Sequence, residues 1–163
     1  MSVWHDLAKA ISAGGDQAGL EPALGEAGFL FERSIGHPPD ACWPEEVATA
    51  EMDLGARAGL RDTVVAFVRQ HPHNRAAVTG YWALGKLEDP SLAELYRWAL
   101  AYYLEKGEPA DRPRGSSALF QVLVALGNIG ERPYGDDGGG SSALDDERNA
   151  RLARAYLART GRE

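Results

Sequence analysis

Residues 116–130, SSALFQVLVALGNIG, constrain this chain more than any other stretch. Leu119, Phe120, Val122, Leu123, Val124, Leu126 and Ile129 leave no continuous polar face at 3.6 residues per turn. A helix that is apolar all round must be covered by other helices, and this one is too short to cross a bilayer. Ser116 or Ser117 can cap its start, and Gly130 suits a left-handed turn at its end. It predicts an all-α fold gathered around residues 116–130.

The rest of the chain reads as about six or seven helices and no strand. Ser2 opens a first helix with Val3, Trp4, Leu7 and Ile11 on one face, closed by Gly14-Gly15. A short helix is predicted at Pro22–Ala27, followed by an apolar plug, Phe29-Leu30-Phe31, and a loop, Ser34–Trp43. A helix from Pro44 to Ala58 would turn Val47, Ala50, Leu54 and Ala58 inward and Glu45, Glu46, Glu51 and Asp53 outward. Leu60, Val64, Phe67, Val68 and His71 mark the next, stopped by Pro72. Asn74 caps a helix to about Leu87. Ser91 and Glu94 form a capping box for one that Gly107 closes. The last spans roughly Ala143–Thr160, with Leu144, Leu152, Ala155 and Tyr156 inward and Ser142 and Asp145 as a weaker capping pair. Gly-rich residues 131–141 read as a mobile loop.

Two segments repeat. Tyr81-Trp82-Ala83-Leu84-Gly85-Lys86-Leu87 precedes Pro90, and 42 residues on, Leu123-Val124-Ala125-Leu126-Gly127-Asn128-Ile129 precedes Pro133. Each leads into an amphipathic helix, ending Tyr103-Leu104…Gly107 in one and Tyr156-Leu157…Gly161 in the other. A period near 40 with two helices per unit is a solenoid signature. Over roughly residues 74–161 the Ala-Leu-Gly-x-Leu/Ile pattern, with Asp-Pro in the first unit, resembles the bacterial HEAT-like repeats. That resemblance implies a stacked helical scaffold that binds other proteins. A bundle whose hairpins share small-residue packing is the other architecture open to these residues. Either way the chain reads as one domain, 1–163, with a helical N-terminal part and loop (1–43) and helical hairpins (44–161).

Charge is lopsided. The net charge of −7 lies wholly in residues 1–60, which hold ten acids against three bases, while residues 61–163 hold 14 of each. Such asymmetry argues against non-specific nucleic-acid binding and allows a basic partner on the N-terminal part. A single cysteine, Cys42, excludes an internal disulfide, and MSVWHDLAKAISAGG lacks a basic leader before an apolar core, so a cytoplasmic protein is expected. No apolar run reaches membrane length. Arginine outnumbers lysine 14 to 3, the bias of a GC-rich bacterial genome.

No constellation in the chain writes a reaction. His71-Pro72-His73 lacks a third metal ligand and reads as a surface turn. His37, Asp40 and Cys42 share a loop, but no protease motif surrounds Cys42, which beside Trp43 reads as a small buried hydrophobe. Arg148, Arg151, Arg154 and Arg159 follow Asp145, Asp146 and Glu147 on the last helix, so that helix complements its own dipole. The run 135–142, GDDGGGSS, lacks the strand and lysine of a phosphate loop. What remains is a partner surface: the acids Glu45, Glu46, Glu51 and Asp53, and the aromatics Tyr81, Trp98 and Tyr102. The expectation is a protein-binding module without catalysis, cofactor or metal, in particular a small acidic inhibitor of immunity or antitoxin type facing a basic effector. The alternatives are a scaffold subunit, and a ligand- or metal-binding enzyme domain built on the His37–Cys42 loop.

Overall fold

The computed structural model describes residues 2–14, 17–135 and 142–161. Among them lie eight α-helices and no strand: α1 (Val3–Ser12), α2 (Gln17–Ser34), α3 (Glu45–Ala48), α4 (Leu54–Gln70), α5 (Ala76–Gly85), α6 (Ala93–Lys106), α7 (Ala118–Asn128) and α8 (Asp146–Arg159). A 3₁₀ turn, Pro90–Leu92, leads into α6. The fold is all-α, as the periodicity predicts.

The helices pack in two rows. α2, α5 and α7 lie side by side, with α5 in the middle. On the other side α1 packs on α4 and α6 on α8, and the hairpins α1–α2, α4–α5 and α6–α7 tie the rows together. The halves of the sequence repeat are therefore neighbours in space, α5 beside α7 and α6 beside α8. Buried apolar side chains run in one contiguous cluster from Trp4 to Leu157.

The helix at the centre is α5 rather than α7. Ala76, Ala77, Val78, Gly80, Tyr81, Ala83, Leu84 and Gly85 are all buried, whereas Phe120 and Val124 of α7 are half-exposed. Small residues make the difference. A methyl on Gly85 would stand 3.3 Å from the Ala125 Cβ, so α5 and α7 approach closely where the repeated Ala-Leu-Gly lies. α5 and α7 are equally apolar on average, but the Ala and Gly of α5 let three neighbours close around it.

Several boundaries differ from the sequence reading. Pro22 does not confine a short helix: it sits inside α2, where Leu20, Leu24, Ala27 and Phe31 are buried at i, i+4, i+7 and i+11. The helix placed at 44–58 is instead one turn, α3, followed by an extended strap, and the longer α4 begins at Leu54. Asp53 accepts the Ala56 N–H at 3.0 Å and so sets the start of α4. Leu54, expected inward, is exposed. On α8 the inward set is Leu152, Ala153, Tyr156 and Leu157; Ala155 is exposed, and Leu144 precedes the helix and faces solvent. Buried Asn149 ties the approach to α8 by donating to the Ser142 carbonyl at 2.7 Å. The run 136–141 of the Gly-rich loop lies outside the described residues.

Capping also departs from expectation. Asn74 accepts the Ala76 N–H at 2.9 Å, as its position suggests. At the next turn it is Asp89 that accepts the Ser91 N–H, at 2.9 Å, while Glu94 reaches forward to Arg97 at 2.7 Å. Asp89 also takes the Arg61 guanidinium at 3.1 Å. Burial would raise the Asp89 carboxyl, but the Ser91 hydrogen bonds and Arg61 outweigh it and hold the group below its ordinary value. Its charged form therefore stabilises the fold above the ordinary carboxylate range, and that contribution is lost as pH falls through the folded-state value. Asp89→Asn keeps the cap and removes the charge. It should cost about 1 kcal/mol at pH 7 and less near pH 3, measured by urea unfolding of both proteins at each pH. An equal cost at both pH values would refute the assignment.

The start of α7 carries two caps. The Ser117 hydroxyl accepts from Phe120 at 3.1 Å, and the Glu108 carboxylate accepts from Ala118 and Leu119 at 3.0 and 3.2 Å. Burial pushes the Glu108 carboxyl above its ordinary value.

Candidate functional site

Three contacts hold the segment between α3 and α4. The Trp4 indole, buried at the start of α1, donates Nε1–H to the Glu51 carbonyl at 2.9 Å. Arg33 at the end of α2 donates to the Val47 carbonyl at 3.2 Å and also to that of Ala50. Val47 is fully buried beneath the turn. With its backbone fixed from both sides, the strap packs Ala50 on the core and leaves Thr49, Glu51, Met52 and Asp53 exposed.

An open groove of about 800 Å³ runs between this strap and the start of α1. Ser2, Val3, Trp4, Glu46, Thr49, and residues 50–55 line it. Three of the four acids singled out from the sequence, Glu46, Glu51 and Asp53, are on its wall, and Glu45 stands beside them on α3. All four are exposed. Met52 and Leu54 alternate with Glu51 and Asp53 along the strap and are 47% and 71% exposed. Large apolar side chains left so open at one site are characteristic of interaction surfaces.

The acids outnumber the cations around them and form no ion pair among the described residues. Among the described residues, the ion pairs within reach of α2 use Glu21 with Arg75 and Glu32 with Lys86, and none engages Glu26, Glu45, Glu46, Glu51 or Asp53. The Arg33 guanidinium that reaches the strap donates to carbonyls and contacts none of these carboxylates, so its single charge offsets only part of theirs. Burial, and then the charge of Glu46, push the Glu26 carboxyl above its ordinary value. Negative potential at this end of the molecule is thus left for solvent or a partner to neutralise.

The aromatic half of the expected surface falls elsewhere. Trp98 and Tyr102 are half-buried on α6, with Arg69 stacked over Trp98 at 4.9 Å and the Tyr102 hydroxyl 2.6 Å from the His73 Nε2. Arg69 lies near the far end of α4, about 22 Å along the helix from Leu54. One surface patch does not contain both sets. Tyr81 is a correction: it is completely buried on α5, its ring edge-on to Tyr103 at 6.0 Å, and so is core rather than partner surface. The half-exposed side of α5 belongs to Thr79 and Trp82, and Tyr81 points away from it.

The His37–Cys42 loop is exposed from His37 to Cys42. Cys42 is not the small buried residue expected, because Trp43 does the packing there, stacked on Phe29 at 5.0 Å. Among the described residues no three His, Cys, Asp or Glu side chains gather as a metal site. His71 lies against Phe67 and His73 against Tyr102, two separate aromatic contacts.

The acids are visible in the sequence, whereas Trp4's hold on the strap and the exposure of Met52 and Leu54 are not. The available signal was Asp53, a good N-cap directly before Leu54, which would have started a helix there and left residues 49–53 extended. No helix of the described residues is long and apolar enough to cross a membrane. Comparison with known proteins finds no matching family model, no matching curated protein and no matching solved structure.

Proposed function

We propose that this chain is a non-catalytic protein-binding module that masks a basic partner, in the manner of a small immunity or antitoxin-type inhibitor in a bacterial cytoplasm. The observation that carries this reading is the set of acids that form no ion pair among the described residues, Glu45, Glu46, Glu51 and Asp53, around a groove that exposes Met52 and Leu54. Acids at the rim speed encounter with a cationic surface, and apolar side chains at the centre supply affinity after contact. The neighbouring placement of α5 with α7 and of α6 with α8 supports the HEAT-like scaffold that the repeat implies.

The test is a tagged pull-down from the native host, washed at low and then high salt, followed by kinetics on the protein retained. A stoichiometric basic partner released by salt is expected. Replacing Glu45, Glu46 and Glu51 by Lys, with Asp53 kept because it caps α4, should slow association about tenfold or more at low salt and flatten its salt dependence. An association rate unchanged in that variant would remove the acidic face from the interface.

A further inference from the structure

We infer that the groove between α1 and the strap takes a basic peptide segment carrying one or two bulky apolar side chains flanked by Lys or Arg. This deepens the proposal above and rests on it. The groove has two kinds of wall. Met52 and Leu54 present apolar surface, backed by Val3 and the buried Trp4 ring, and Glu46, Glu51 and Asp53 present carboxylates at the margin. An apolar anchor gains from leaving water against Met52, whose unbranched thioether adapts to different shapes, and against Leu54. Cations on either side of the anchor then meet carboxylates that no cation of the described residues engages.

The charge pattern selects this occupant over others. A wholly apolar segment would leave the carboxylates facing an uncharged partner and partly desolvated, which is unfavourable. A polycation without an anchor would leave Met52 and Leu54 in water and bind by screened charge alone. An acidic segment meets like charge along the rim. Backbone order favours binding too: Trp4 and Arg33 already hold the strap, so little conformational freedom remains to be lost when the groove fills.

The probes are two fluorescent peptides of equal length and net charge, both built of alternating Lys and Ser. One carries a central Leu-Leu pair, the other Ser-Ser in its place. Fluorescence anisotropy at low salt should show the leucine peptide bound about tenfold tighter or more. Met52→Ser with Leu54→Ser should abolish that advantage; both positions are exposed, and a thermal melt confirms that the variant folds. Glu46→Gln with Glu51→Gln should weaken both peptides and reduce their salt dependence. Equal affinities, no binding at low salt, or a leucine advantage that survives in the Met52, Leu54 variant would each overturn the inference. A dimer of the free chain that Leu54→Ser disperses would put a second copy in the groove, and would also overturn it. A native basic partner captured equally by wild type and the Leu54 variant would leave the module proposal standing and remove only the groove. Leucine-dependent peptide binding with no such partner captured would do the reverse.

Discussion

Trp4→Ala should destabilise the protein by about 3–5 kcal/mol, a large part of the 5–15 kcal/mol typical of a whole domain. The indole is 1% exposed and is the largest fully buried side chain of α1, so its removal leaves a cavity at the α1–α4 contact. At roughly 2–4 °C per kcal/mol for a domain of this size, the melting temperature should fall on the order of 6–20 °C. Trp4→Phe separates packing from hydrogen bonding. It keeps an aromatic ring but frees the Glu51 carbonyl, and should cost about 1–2 kcal/mol while loosening the strap. A glutamate-specific protease should then cleave after Glu51 faster than in wild type, before global unfolding. If Trp4→Phe leaves that cleavage rate unchanged, Trp4 is core only, and Arg33 alone positions the strap.

The coupling of a core residue to the groove explains which parts of this molecule could be read from the chain. Helices with large apolar residues at regular spacing are legible: Trp4, Leu7 and Ile11 on α1, and Leu60, Val64, Phe67 and Val68 on α4, are buried as their periodicity predicts. The acids were legible as charge because uncompensated charge needs no structure to be counted. The groove was not. Its existence depends on contacts across 47 residues, from the Trp4 Nε1 to the Glu51 carbonyl, and across 14 and 17, from Arg33 to Val47 and Ala50. Local pattern carries none of these. Apolar spacing over 44–58 fits a single helix with Leu54 inward, but the Asp53 carboxylate caps a new helix there and leaves Leu54 outside.

Aromatic content misled in the opposite direction. Tyr81, Trp98 and Tyr102 were grouped as one surface because they crowd successive helices, yet the fold puts Tyr81 in the core and the other two beside Arg69 and His73. Ring chemistry alone does not tell an interface anchor from a core residue. The two ends of α4 thus do different work: Asp53 and Leu54 border the acidic groove, and Arg69 packs on α6.

Small residues are where the architecture is most exposed to a single change, and Gly80, where α5 crosses α4, is one such position. A methyl added there would lie 2.6 Å from the Val68 Cγ1 on α4, with the Val64 Cγ1 at 3.8 Å. Val68 is completely buried and β-branched, so it has little rotamer freedom with which to yield. Gly80→Val should therefore cost about 2–3 kcal/mol by prising α4 from α5, even though valine is the better helix former. Val68→Ala alone should cost about 2 kcal/mol through lost burial and a small cavity. Combined, the two should cost less than their sum by about 1–2 kcal/mol, because the alanine opens the space the new side chain needs. Urea unfolding of the four proteins measures that difference. Simple additivity would mean that the α4–α5 crossing does not pass through Gly80 and Val68, and the close approach that lets α5 occupy the centre would have to lie elsewhere along the helix.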